Sequence, residues 1–295
     1  MVIIFHCKRI DMKMININMS SLLKAAIVSG IALSSCQKMT KPSLGNYQQD
    51  KVVTPTTALR FYVSFDSTST EDKQINIRFK DSISGYPSFF PDNSIQVVPG
   101  AHGTAYQGNL DQNLSYLNVN DWGKSTSFTV AFWEKKSGIN NSDAEFVFSI
   151  PSKAGHWSNS NMLLIFDHKG AGSTPDSSVI KLMVAESSGA VDHWFELTGN
   201  NRMPKVTDGQ WHHLAFAYDE TTSQMKIYRD GVLYNTQTWA GHGAIKMDWS
   251  KATGFYLGGK TTDWGKSFNG SIDQFRLYNK ALTAAEVQSL YASRL

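Results

Sequence analysis

The stretch Asp208–Asn235, DGQWHHLAFAYDETTSQMKIYRDGVLYN, decides the fold of this chain. Trp211–Tyr218 is dense in aromatic residues, and Gln224–Arg229 and Val232–Asn235 follow it closely, so three short strands succeed one another. Asp230-Gly231 sits between MKIYR and VLYN. A two-residue type I′ turn needs positive φ at both central positions, which Asp-Gly supplies, so the last two strands form a hairpin. Upstream, the same pattern predicts strands over Leu59–Phe65, Asn76–Lys80, Leu114–Val119, Ser127–Glu134, Glu145–Ile150, Met162–Asp167, Val179–Ala185 and His193–Leu197. Downstream it predicts Gly254–Gly258 and Ser271–Tyr278. One helix is visible, of about a turn and a half. Thr283 and Glu286 have capping-box spacing, and Val287, Leu290 and Tyr291 follow. A dozen or more strands with one terminal helix mean an all-β fold, a two-sheet antiparallel sandwich or jelly roll, expected as one domain over residues 58–295.

Charge narrows the choice of partners. The chain has 28 basic and 25 acidic residues. Lys8, Arg9, Lys13 and Lys24 against Asp11 carry the whole excess, and from Cys36 onward the charges balance. Non-specific phosphate binding draws on clustered Lys and Arg, so a neutral body argues against nucleic acid as partner.

The N-terminus reads as an export signal. Residues 22–33 (LLKAAIVSGIAL) are an apolar run of 12 behind a basic leader. That is too short to cross a bilayer, which takes about 20 apolar residues, and suits a secretory signal. Leu33-Ser34-Ser35-Cys36 follows and resembles the bacterial lipobox, with Cys36 as the lipidated residue. Cys7 lies in the leader, so Cys36 is the single cysteine downstream and has no intramolecular partner. The expectation is a signal over 1–35, a polar tether over 36–57, and acyl chains that hold the domain on a membrane. Gln37 after the cysteine resembles lipoproteins not retained at the inner membrane, so an outer-membrane location follows, with the leaflet open.

Three segments resemble the LamG-like jelly roll of the concanavalin A-like lectin/glucanase superfamily. FYVSFD (Phe61–Asp66) is similar to its first strand, Asp208–Asn235 to its most recognisable stretch, and FNGSIDQFRLYNKALTAAEVQSLY (Phe268–Tyr291) to its closing strand and helix. SFTVAFWEKK (Ser127–Lys136) fits as well. The resemblance implies the jelly-roll fold and leaves function open, since the architecture hosts lectins, glycosidases, lyases and protein-binding modules. It also implies a structural Ca²⁺ between the first and last strands. The matching positions are Asp66 and Asp273, with a carbonyl from the turn Gly100-Ala101-His102-Gly103, Gly103 being the assigned residue. Such oxygens suit Ca²⁺, which takes six to eight ligands with loose geometry.

His212 and His213 are adjacent on a strand, point to opposite faces and cannot share an ion. Trp133 and Trp211 sit in strand patterns and are expected in the core. Sugar sites pair an apolar wall with a few placed polar groups. Trp157, Trp249 and Trp264 fall outside strands beside Asp, Asn or His, Asp263 adjoins Trp264, and Trp194 lies in a strand among charged neighbours; these five are the candidate glycan residues. Catalysis by paired carboxylates needs two close acids. Asp143 and Glu145 are the nearest same-face pair and lack a third acid, with Glu196 as a further candidate. The reading is an exported, lipid-anchored domain that binds a polysaccharide or glycan without cleaving it, alone or within an envelope protein complex. A glycoside hydrolase or polysaccharide lyase of the same fold, and a protein-binding or adhesion module, are the alternatives.

Overall fold

The computed structural model describes residues 54–66, 79–89, 96–153, 157–186, 192–249, 251–259 and 264–293. In chain order the strands are β1 (Leu59–Val63), β2 (Gln96–Pro99), β3 (Thr104–Gln107), β4 (Leu114–Tyr116), β5 (Phe128–Ser137), β6 (Glu145–Pro151), β7 (Ser160–Phe166), β8 (Ser177–Ser178) and β9 (Ile180–Ala185). They continue as β10 (Asp192–Leu197), β11 (Met203–Pro204), β12 (Asp208–Asp219), β13 (Gln224–Arg229), β14 (Val232–Thr238), β15 (Phe255–Leu257), β16 (Lys266–Ser267) and β17 (Ser271–Tyr278), before the helix α1 (Ala284–Ala292). One large sheet runs β14-β13-β12-β5-β17-β3-β2, with β1 also on β17; the other runs β10-β9-β7-β6-β15-β4, with β16 beside β6. Apart from β16 on β6, every strand pair in the two sheets is antiparallel.

The hairpin behaves as the Asp-Gly signal requires: Asp230 and Gly231 have φ of 51° and 77°. Tertiary structure reinforces the turn, because the His213 N–H donates to Asp230 Oδ1 at 2.9 Å. Alternation then sets the two faces of the central strand β5. Phe128, Val130 and Phe132 enter the core between the sheets, whereas Ala131 lies in a separate cluster on the outer face. The inter-sheet core is aromatic at its centre, with Phe275 at 5.8 Å from both Phe132 and Phe148 and 5.6 Å from Phe255. Each fully buried side chain of this size contributes about 1.5–3 kcal/mol.

Each sheet also has an apolar outer face. On the first, Ala131, Ala215, Ala217 and Tyr228 are covered by Leu282 and Val287 from the helical C-terminal segment. On the second, Phe146, Leu163, Ile165, Met183 and Ala185 form a cluster on which Trp194 packs. Met162, Leu164 and Phe166 of the same strand β7 point into the core, so the outer cluster is the other half of a period-two pattern.

The structure differs from the sequence reading in its short strands and at two further elements. The reading does not include β2 and β3, of four residues each, or β8, β11 and β16, of two each; all are too short to build an alternation. Of the strand expected over Asn76–Lys80, the described residues Phe79 and Lys80 lie at a turn. The helix is nine residues long, longer than expected, because Ala284–Ala292 continues past the apolar positions on helix-favouring residues. Its capping box is formed on both sides, Thr283 accepting from the Glu286 N–H and Glu286 from the Thr283 N–H.

Candidate functional site

The outer face of the second sheet carries the site. Trp194 of β10 lies opposite Met183 of β9, which lies opposite Leu163 of β7. These three place one aromatic and two aliphatic side chains in a row across the sheet. Trp157, in the short 3₁₀ turn before β7, and Trp264, just before β16, lean over this row. The Trp157 ring is 4.8 Å from Trp194, nearly perpendicular at 77°, and 4.8 Å from Trp264. Trp264 in turn rests on Phe146, with centroids 5.0 Å apart. Such tilted and edge-on pairs lie in the favourable range for aromatic contacts. The outer-face aliphatics beneath are fully buried, yet Trp157 remains 43% exposed and Trp264 37%. The three rings therefore form a fixed aromatic surface that is still open to solvent.

Polar groups border it. Asp192, two residues before Trp194, accepts the Trp157 N–H at 2.7 Å on Oδ2 and so fixes the loop that carries that ring. Lys181 links Asp167 (3.0 Å) and Glu196 (3.6 Å). Asn161 precedes core-facing Met162 and thus belongs to the outer face; it is buried, and neither its amide oxygen nor its nitrogen has a hydrogen-bond partner. Sequence reasoning missed Asn161, although its position two residues before Leu163 in β7 was the available signal.

Three of the sequence candidates, Trp157, Trp194 and Trp264, thus converge. Trp249 does not join them. Its ring packs 6.3 Å from Trp122, nearly perpendicular, and joins the inter-sheet core. Gly123 admits it closely, for a Cβ there would collide with the indole. Asp263 and Cys36 lie outside the described residues, as do the signal and most of the tether.

The expected cation positions do come together. Phe65, at φ 62°, ends the first strand segment and turns Asp66 toward the Gly100–Gly103 turn between β2 and β3. Asp66 Oδ1 accepts the Thr104 N–H at 2.9 Å, and Asp273 Oδ2 accepts the His102 N–H at 3.0 Å. A Cβ at Gly103 would strike Asp66 Oδ1, and one at Gly100 would crowd Asp273 Oδ2. Asp273 is fully buried and its Oδ1 has no partner. Burial, with the Asp66 charge adding to it, pushes the Asp273 carboxyl up to about 7 against the pull of backbone N–H groups. Two acids meeting on one glycine turn with an orphaned oxygen fit a hard cation such as Ca²⁺. His102 Nδ1 lies 3.6 Å from Asp66 Oδ2, but among the described residues no three such side chains form a metal-holding group, so carbonyls and water would complete the set.

The other candidates have ordinary employment. His213 is buried and stacks near Trp133 at 5.2 Å, and burial pulls its pKa down to about 3. His212 bridges Asp230 (2.9 Å) and Asp208 (3.2 Å). Burial opposes its charge, but those two aspartates outweigh it and raise its pKa. Trp133 is buried, though beneath the helix, 5.4 Å from Tyr291, rather than between the sheets. Trp211, at the open start of β12, is only half-buried. Asp143 and Glu145 do not act as a pair: Asp143 Oδ2 accepts from Ser142 Oγ at 2.9 Å, and Glu145 Oε2 from Lys136 Nζ at 2.7 Å.

Residues 107–288 match the Laminin_G_3 family of the concanavalin A-like lectin/glucanases superfamily. The chain belongs to this family. Among solved structures, this Laminin_G_3 chain is similar to domain 4 of the GH43 extracellular arabinanase AbnA from Geobacillus stearothermophilus, in complex with arabinotriose. Identity is 21% and TM-score 0.52, over 79% of this chain and 98% of that one. It is similar too to the botulinum neurotoxin type C structure whose cell entry depends on two ganglioside molecules. There identity is 13% and TM-score 0.55, over 81% and 51% of the chains. These likenesses show the fold. Among curated proteins, the rat neuronal pentraxin receptor is 27% identical over 170 residues, 55% of this chain and 28% of its own. The rat sushi, von Willebrand factor type A, EGF and pentraxin domain-containing protein 1 is 32% identical over 100 residues, 30% of this chain and 3% of its own. The chain thus spans about a quarter or less of the curated relatives it matches.

Proposed function

We propose that this domain binds a polysaccharide or glycan, without cleaving it, on the surface made by Trp157, Trp194 and Trp264. The observation that carries the reading is the meeting of three tryptophans from three separate segments, the Trp157 ring centroid 4.8 Å from each of the other two, over a fully buried apolar face. Exposed aromatic faces match the C–H surfaces of pyranose or furanose rings, and bordering carboxylates and amides match their hydroxyls. The reading is supported by the arabinotriose held by the arabinanase domain and the gangliosides of the neurotoxin, both on this fold. The one carboxylate pair the sequence offers for cleavage does not act together, since Asp143 is bonded to Ser142 and Glu145 to Lys136.

Cys36 within Leu33-Ser34-Ser35-Cys36 supports an outer-membrane lipid anchor, and a tether to residue 57 would let the domain reach glycan or envelope protein partners. Asp66 and Asp273 would hold Ca²⁺ together with carbonyls of the Gly100–Gly103 turn, and the ion would neutralise two acids and tie the end of β1 to β17.

The test is affinity electrophoresis against arabinan, xylan, laminarin and pectin, with reducing-end and unsaturated-product assays on the same samples. Retardation by at least one polysaccharide without new ends is the expected result. New ends overturn the binding-only reading, and no retardation by any of them favours a protein-binding module instead.

A further inference from the structure

A second feature lies one residue from the tryptophan surface. Glu145 and Phe146 are consecutive on β6; Phe146 supports Trp264 on the outer face, and Glu145 turns the other way, between the sheets. There it meets Lys136 of β5. The pair is almost fully buried, at 3% exposure each, with Nζ 2.7 Å from Oε2. The Asn269 N–H also donates to Oε2, at 2.8 Å, while Lys136 Nζ donates to the Asn269 carbonyl at 3.2 Å and lies 5.5 Å from the Phe268 ring centroid. The two charges thus compensate each other, and both bonds to Glu145 fall on Oε2, while Oε1 accepts none among the described residues.

This ion pair forms the floor of an open cleft of about 350 Å³. Leu110 and Ile139 supply its apolar wall, and the exposed side chains of Asn141 and Asn269 stand at its rim with no hydrogen bond among the described residues. The volume sits at the small end of the range of small-molecule sites, and seven of the nine lining residues are polar, which suits a hydroxyl-rich ligand. A carboxylate oxygen with no donor from the described residues is open to a hydrogen bond from a ligand hydroxyl.

We infer that this cleft is a polar subsite for one neutral, hydroxyl-rich sugar unit of the glycan held by the tryptophans. The inference rests on the glycan reading above. One hydroxyl donates to Glu145 Oε1 and accepts from a rim amide, and its neighbour uses the second amide; this is the alternating donor–acceptor pattern of a vicinal diol. Lys136 and Glu145 neutralise each other at 2.7 Å, so the pair offers an anion no net positive charge, and a uronic acid unit would bring its carboxylate against Oε1. The cleft therefore selects neutral sugars over acidic ones. The chain then runs from Trp264 across the start of β6, where β16 pairs in parallel with Glu145 and Phe146, and ends in the cleft.

The experiment is NMR on protein labelled with ¹⁵N at asparagine and tryptophan, titrated separately with arabinotriose, xylotriose, laminaritriose and trigalacturonate at millimolar concentration. The inference expects at least one neutral trisaccharide to move the Asn141 and Asn269 side-chain amides together with the Trp157 and Trp264 indole signals. It expects trigalacturonate to leave those amides in place. An Asn141→Ala, Asn269→Ala double variant, which leaves the buried pair intact, should bind that sugar at least fivefold more weakly. Indole shifts without amide shifts, or a double variant with unchanged affinity, overturn the subsite and leave the tryptophan surface standing. Amide shifts with trigalacturonate overturn the selection for neutral sugars. Silence of both sets of signals overturns the glycan reading and the subsite with it.

Discussion

The two outer faces of the sandwich solve the same problem in different ways. Both sheets present apolar side chains away from the core. On the first sheet Ala131, Ala215 and Ala217 are small, so the C-terminal segment can lie close and seal them with Leu282, just before the helix, and Val287 within it. A helix satisfies its own backbone and, with the Thr283–Glu286 box formed, its first turn as well. The result is a closed lid. On the second sheet the residues are large, Phe146, Leu163, Ile165 and Met183, and no helix covers them among the described residues. Three indole rings do so, and two stay more than a third exposed. An indole covers apolar surface with one side and keeps the other available. The difference teaches that covering a face and offering a face can be the same act when rings from loops perform it.

Changes at the two faces should therefore separate stability from binding. Leu282→Ala, just before the helix, should cost about 2–4 kcal/mol in denaturant unfolding, as buried leucine truncations do. Polysaccharide retardation should stay at the wild-type level. If binding falls with stability, the two faces are coupled and the distinction is lost.

The Asp66–Asp273 pair belongs to neither face and isolates a third effect. The Asp273 carboxyl sits near 7 in the folded protein against about 3.9 in an unfolded chain. The folded state thus holds the proton more tightly, and this group's stabilisation is full below pH 4 and lost as pH rises through 7. In chelator, stability should fall by on the order of 2 kcal/mol between pH 5 and 8 because of this group. Asp273→Asn should flatten that slope, and millimolar Ca²⁺ should raise the melting temperature of the wild type at pH 8. A melting temperature indifferent to both chelator and calcium would remove the cation site.

Smaller effects sharpen the contrast. Trp157→Ala should weaken polysaccharide binding at least tenfold, which corresponds to about 1.4 kcal/mol. Its melting temperature should fall by no more than about 4 °C, since the ring is an exposed cover and not a core member. Thr283→Ala removes the helix cap, should cost about 1 kcal/mol in thermal unfolding, and should leave binding untouched.

Much of this was legible in the residues. The Asp230-Gly231 hairpin and the Thr283–Glu286 box follow from local rules and are present as read. The family resemblance placed Asp66 and Asp273 opposite each other, which no periodicity could do, since 206 intervening residues separate them. The aromatic surface was half legible. Trp157, Trp249 and Trp264 have similar polar surroundings in sequence, yet Trp249 meets Trp122 over Gly123 and leaves the group. Local composition reports where a ring can be tolerated, and the partner that claims it is chosen by the tertiary fold. The Asp143–Glu145 spacing is equally silent on partners: Glu145 pairs with Lys136, across the sandwich on the other sheet.

The most direct test titrates oligosaccharides of whichever polysaccharide retards the protein into wild type, Trp157→Ala and Trp249→Phe by calorimetry. The account predicts that Trp249→Phe binds as wild type does and Trp157→Ala at least tenfold more weakly, with both still folded. Equal affinity of Trp157→Ala and wild type, or a greater loss in Trp249→Phe, would contradict it.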